Sequence, residues 1–280
     1  MSSTVTRPSG TLLRAFLDQL AHQPAVLVRV VGCEGSVPRE AGTWMAVFSD
    51  TLVGTVGGGH LEHTAITAAR GYLNGDSDQR VFGPVRFALG PSLGQCCGGV
   101  MHVQYEKASA DDVASLAISL APKLAPVALF GGGHVGHALA RVLSSLPFVL
   151  TWVDSRDGVF PIDAASNIVC EHSDPVEGAV RGLAPQSCVL IMSFSHAEDL
   201  EVVAACLLRH RQQADLPFIG LIGSKTKWAT FEHRLLARGF TADELAQVTS
   251  PIGVRGIARK EPEVIAVAVA AQLLQITDRL

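Results

Sequence analysis

Apolar positions follow two rhythms that change near the middle of the chain. Residues 11–20 carry them at helical spacing, and Pro24 then opens a strand-like run over 25–31, apolar except for Arg29. Residues 44–48 and 52–56 read as a pair of strands around a Ser49-Asp50 turn. Beyond Gly57-Gly58-Gly59 an alanine-rich stretch, 60–73, has the period of a helix and stops near Asn74-Gly75. Two more strands are predicted over 81–89 and 100–106. A polar stretch at 107–112, a short helix and the proline-flanked 121–126 then interrupt the pattern, which places a domain boundary between 107 and 125. Residues 1–115 are therefore expected to form a mixed α+β domain.

Residues 116–280 alternate short apolar runs with helical stretches. Strands are predicted over 127–130, 148–153, 167–170, 188–193 and 217–222, and helices over 135–146, 197–211, 225–237 and 262–275. Pro262 falls in the first turn of the last helix, where its missing N–H costs nothing. Such alternation is the mark of a parallel sheet covered on both faces. The fold class is thus α/β: an N-terminal α+β domain followed by a Rossmann-like, doubly wound parallel sheet. No tandem repeat is present.

Composition sharpens this picture. Hydrophobic residues make up 48% of the chain, and 27 glycines add to them. Charged residues are only 17%, below the roughly 25% usual for soluble domains. A chain of this kind buries more than average, in wide sheets or across subunit interfaces, and a homodimer is expected. The net charge of −4 is spread without long runs of either sign, which argues against nucleic acid as a partner. Residues 1–10 lack the apolar core of a signal peptide, and the apolar stretch 264–271 is too short to cross a bilayer. No membrane association and a cytoplasmic location are expected. Six cysteines, at 33, 96, 97, 170, 188 and 206, form no regular framework and are expected as reduced thiols.

The strongest local signal is Gly131-Gly132-Gly133-His134-Val135-Gly136 between a strand and a helix, with Asp154 closing the next strand. In such a fingerprint Gly131 makes the tight turn, Gly133 lets amide groups approach a phosphate, and Gly136 permits close helix packing. Asp154 would accept from ribose hydroxyls. The pattern favours a nucleotide-type ligand, while a turn that packs tightly and binds nothing remains the other reading. Gly57-Gly58-Gly59-His60 also leads into a helix and fits either an anion cradle or a hairpin exit, with Glu62 complementing the helix dipole. Ser224 is a candidate N-cap, and Lys225 and Lys227 could neutralise an anion there; an ordinary capped helix fits equally. Cys96-Cys97-Gly98-Gly99 lies in a glycine-rich loop, where a thiol could meet a soft metal or sulfur, or simply fill space. Ser195-His196 with Asp199 reads as a helix cap.

Taken in order along the chain, these segments resemble the xanthine dehydrogenase accessory protein family, XdhC and its CoxI-like relatives. The resemblance is carried by Gly35-Ser36-Val37-Pro38-Arg39, by Gly54 to Glu62, by Cys97-Gly98-Gly99, and by the glycine fingerprint ending at Gly136. It continues through Asp154-Ser155-Arg156, Phe218 to Lys225, and Ser250-Pro251-Ile252-Gly253. It implies a chaperone of molybdenum cofactor (molybdopterin) that helps it gain a terminal sulfido ligand from a cysteine desulfurase. The resemblance also implies delivery of the cofactor to apo-xanthine dehydrogenase, with no turnover of its own. Cys97, matching the family's Cys-Gly-Gly, is then the expected metal-side contact, and the cofactor's phosphate would sit at Gly57–Gly59, at Ser224-Lys225 or at the Rossmann glycines. A nucleotide at the Rossmann site is a further expectation. Where members carry a Thr-His pair at the end of the fourth Rossmann strand, this chain has Ser193 and Phe194, leaving only His196 there. The competing reading is an NAD(P)-dependent oxidoreductase, with Arg156 accommodating a 2′-phosphate.

Overall fold

A computed structural model describes residues 9–75, 79–89 and 98–278, and the chain divides into two units, Met1–Pro122 and Lys123–Leu280. The first unit runs α1 (Ser9–Leu20), β1 (Ala25–Glu34), β2 (Trp44–Val47), β3 (Leu52–Gly54), α2 (Gly59–Asn74), β4 (Val81–Ala88), β5 (Val100–Ala108) and α3 (Val113–Ser119). Its five strands are antiparallel, in the order β3-β2-β1-β5-β4. The largely apolar sequence of β1, interrupted by Arg29, follows from its place at the centre. Alternate side chains of a strand point to opposite faces. Val26, Val28 and Val30 therefore meet Leu61, Ala65 and Ala69 of α2. Ala25 and Leu27 join Phe16 and Leu20 of α1 and Leu116 of α3 on the other face. The register of β1 against β5 shifts between Val30 and Gly32, leaving Val31 as the extra residue of a bulge.

The second unit runs β6 (Ala125–Phe130), α4 (His134–Leu143), β7 (Phe148–Asp154), β8 (Ile168–His172), a 3-10 helical segment (Val176–Gly182), β9 (Cys188–Ile191) and α5 (His196–Gln213). It ends with β10 (Phe218–Leu221), α6 (Lys225–Ala237), α7 (Ala242–Leu245), β11 (Val248–Thr249) and α8 (Pro262–Thr277). All six strands are parallel, in the order β11-β10-β9-β6-β7-β8. Numbered within the unit this is 3-2-1-4-5-6 read from β8, the Rossmann order. Val127 and Leu129 face α4 and α8, where Leu139, Leu143, Val269 and Leu273 close the layer. Ala128 and Phe130 face α5 with Val203 and Leu207. Each fully buried Leu, Val or Phe stabilises by about 1.5–3 kcal/mol, so both faces hold the sheet.

The doubly wound sheet and the antiparallel N-terminal sheet match the expected fold class. α4 ends three residues before the predicted 146, because Ser145 and Leu146 tighten into i to i−3 bonds ahead of Pro147. The 3-10 segment, α7 and β11 were not foreseen. Among the described residues, no helix is long and apolar enough to cross a membrane.

Candidate functional site

The C-terminal edge of the parallel sheet collects most residues singled out in the sequence, and the strand order reverses there between β6 and β9. Open α/β sheets place ligands at such an edge. β6 delivers Gly131 into the space beside β9. Its φ is +123°, and a Cβ would overlap the carbonyl oxygen of Met192, so the turn requires glycine. At Gly136 a Cβ would strike the Gly131 carbonyl, which accepts from the Trp152 indole at 3.0 Å. Both glycines serve close packing. Gly133 differs: it is the N-cap of α4, its backbone is extended, and a Cβ there would point into open space.

Asp154 ends β7 with only 1% of its surface exposed. Its Oδ1 accepts from the backbone N–H and the Nε of Arg156, both at 2.9 Å. Its Oδ2 accepts from Gly132 N–H at 2.5 Å and Arg156 Nη2 at 2.9 Å. An ionised carboxylate offers about four lone-pair sites, so this one is saturated. Burial pushes its pKa up, but the Arg156 side chain, the two amides and the guanidinium charge outweigh burial and hold it below the usual carboxylate range. The guanidinium carbon of Arg156 stands 4.5 Å from the centre of the Phe194 ring, a residue 65% exposed.

Neighbouring carboxylates are likewise engaged. Glu198 accepts from Ser155 Oγ at 2.7 Å and from Phe194 N–H at 3.0 Å, tying the end of β7 to the end of β9. Asp199 is buried, accepts from Ser193 N–H at 2.7 Å, and pairs with Lys227 Nζ at 2.6 Å. Lys227 also donates to the Ile222 carbonyl at 2.9 Å. Ser195 caps α5 through Glu198 N–H, and Ser224 caps α6 through Lys227 N–H, each at 3.2 Å. Lys225 is exposed at the first position of α6, while His196 packs edge-on to Phe231 at 6.5 Å. The Ser193 hydroxyl is buried without a partner among the described residues.

The first unit gathers its own motifs. Oε2 of Glu62 accepts from the Thr55 hydroxyl and from the amides of Val56 and Gly58, both at 3.1 Å. The turn before α2 thus already holds an anion, supplied by its own helix. A Cβ at Gly57 would come within 2.9 Å of Pro38 Cγ. Gly99 N–H donates to the Ser36 carbonyl at 3.1 Å, and its own carbonyl accepts from Leu89 N–H at 2.8 Å. The stretches Gly35 to Arg39, Gly57 to Glu62 and Gly98-Gly99, far apart in sequence, therefore meet. Cys97, with Cys96, lies outside the described residues. Cys33, Cys170, Cys188 and Cys206 are free; burial pushes the Cys188 thiol up to about 11 and Cys206 to about 12, where neither is nucleophilic near neutrality. Among the described residues no group of three or more His, Cys, Asp or Glu side chains is placed to hold a metal.

Sequence reasoning read Asp154 and Arg156 as separate ligand contacts, although a basic residue two positions past an acid was a legible signal for their pairing. Asp199 and Lys227 belong to different motifs of the sequence, and only the topology joins them. A surface cavity of about 640 Å³ lies elsewhere, between α5 and the 3-10 segment, and its Arg209 and Glu201 are paired with Asp215 and Arg238.

These features define a two-unit protein whose Rossmann sheet has a glycine-cornered turn and whose first unit brings three short motifs to one place. The chain belongs to the XdhC family. The XdhC Rossmann domain matches residues 127–273, more than half of the chain, and the XdhC and CoxI family matches residues 19–83. A Bacillus halodurans protein, its crystal structure described as that of a xanthine dehydrogenase, shares the fold. Its TM-score is 0.76 at 21% identity, covering 95% of this chain and 96% of that one. An uncharacterized Escherichia coli K12 protein, YqeB, is 25% identical over 256 residues, 91% of this chain. The chain spans only 44% of the length of that relative.

Proposed function

We propose that this protein is a maturation factor that binds molybdenum cofactor as cargo. In this reading it supports the cofactor's sulfuration by a cysteine desulfurase and hands it to apo-xanthine dehydrogenase. The observation that carries the reading is the meeting of Gly35 to Arg39, Gly57 to Glu62 and Gly98-Gly99 in the first unit. Residues 19–83 of that unit match the XdhC and CoxI family. Cargo of this kind has a soft dithiolene-bound metal at one end and a phosphate at the other. A thiolate suits the first and backbone amides the second. Cys97, just before Gly98-Gly99 in sequence, supplies the thiol. Gly57, Gly58 and Gly59 form the turn before α2, whose Gly58 amide is taken by Glu62 and whose Gly57 amide is taken by the Thr55 hydroxyl, so a phosphate held there displaces the Glu62 carboxylate. Gly131, Gly133 and Gly136 shape the turn of the second unit, and Ser224 and Lys225 offer a capped helix start with an exposed cation. The saturated state of Asp154 supports a carrier over a dehydrogenase. We place the protein in the cytoplasm as a homodimer.

The test is to mix purified protein with molybdopterin-type cofactor and separate the mixture by gel filtration. Roughly stoichiometric co-elution is expected, lost in Cys97→Ala and kept in Cys170→Ala. Absence of co-elution, or a Cys97→Ala variant that behaves as wild type, overturns the reading.

A further inference from the structure

Dinucleotide folds with this strand order use the acid at the end of the second strand to take the hydroxyls of a ribose. Here that acid is Asp154. Two of its four bonds come from main chain, Gly132 N–H and Arg156 N–H, and belong to the turn itself. The other two come from the guanidinium fork, Nε to Oδ1 and Nη2 to Oδ2, both at 2.9 Å. A vicinal diol would offer the same pattern, two donors with one for each carboxylate oxygen. The fork therefore stands, donor for donor, where the sugar would. Phe194 packs against the guanidinium and helps keep it there. Val159 crowds Gly132: a Cβ on that glycine would come within 2.8 Å of it.

We propose that Arg156 is a specificity-determining residue that closes the Rossmann turn to ribose-bearing dinucleotides, NAD(H) and NADP(H) alike. It does so by filling from within the chain the lone pairs of Asp154 that a diol would use. A 2′-phosphate does not rescue binding. To meet it, Arg156 would have to leave a buried carboxylate short of two donors, and such a group is costly. This inference stands apart from cofactor carriage, because it concerns which ligands the second unit refuses.

The test is calorimetric titration of the full chain with NADH and NADPH. Wild type is expected to bind neither in the micromolar range. Arg156→Met keeps a long stem against Phe194 but no donors. It is expected to bind NADH at least about tenfold more tightly than wild type, equivalent to about 1.4 kcal/mol. Adding Asp154→Asn to Arg156→Met abolishes that gain, which a merely structural role for Arg156 would not produce. Arg156→Lys, with one compact donor group, falls between, and carries the comparison should Arg156→Met fail to fold. Micromolar binding of either nucleotide by wild type overturns the proposal. So does equal affinity across the Arg156 series, or a gain that survives Asp154→Asn.

Discussion

The two glycine turns meet the same need in opposite ways. Before α2, Glu62 reaches back four residues to Gly58, and its partners are two amides and a hydroxyl, none of them charged. After β6, the acid comes from a different strand, 22 positions beyond Gly132, and is neutralised by an arginine. The first arrangement is local and forms with its helix. The second exists only when β6 and β7 are paired, so it reports the integrity of the sheet. An anion-binding turn thus need not await a foreign anion.

The contrast is broken most strongly at Gly131. Gly131→Ala puts a Cβ into the Met192 carbonyl at positive φ and is expected to cost about 3–5 kcal/mol in urea unfolding. Gly58→Ala, also at positive φ (+75°) but with open space around it, is expected to cost only about 1–2 kcal/mol. Next comes Lys227→Met, which strands the buried Asp199 carboxylate and is expected to destabilise by about 3 kcal/mol. Glu62→Ala removes a charged acceptor from two amides and should cost about 2 kcal/mol, read from the same denaturation curves. The smallest effect is a pH dependence. The Asp154 carboxyl is held below its ordinary value when folded, so its contribution is complete above the unfolded value near about 3.9 and disappears as pH falls through the folded one. The stability gap between wild type and Arg156→Met should therefore be widest at neutral pH and narrow below about pH 4. A constant gap would show that Arg156 acts by packing alone.

Much of this architecture was legible because burial on two faces leaves long apolar runs. β1, β6, β7, β9 and β10 all announce themselves that way. β11, two residues long, carries no period to read, and the 3-10 segment Val176–Gly182 is too short and tight to show a helical stripe. The glycine fingerprint is legible as a strand-to-helix turn, whereas the forked pairing of Asp154 with Arg156 is not, because a motif records spacing and not side-chain direction. Asp199 and Lys227 lie 28 residues apart on neighbouring helices, and no local pattern pairs them. The expected metal-side contact, Cys97, is outside the described residues, so its role rests on the test of cofactor binding.

The indole of Trp152 is bonded to the carbonyl of the first glycine in the turn and flanked edge-on by His137 at 4.9 Å and Phe160 at 5.3 Å. A natural fluorophore is thereby bonded to the backbone of that turn. In a variant with Trp44 and Trp228 replaced by phenylalanine, emission from this position should move to longer wavelength when the bond is released and the ring meets water, which gives an optical screen for opening of the turn.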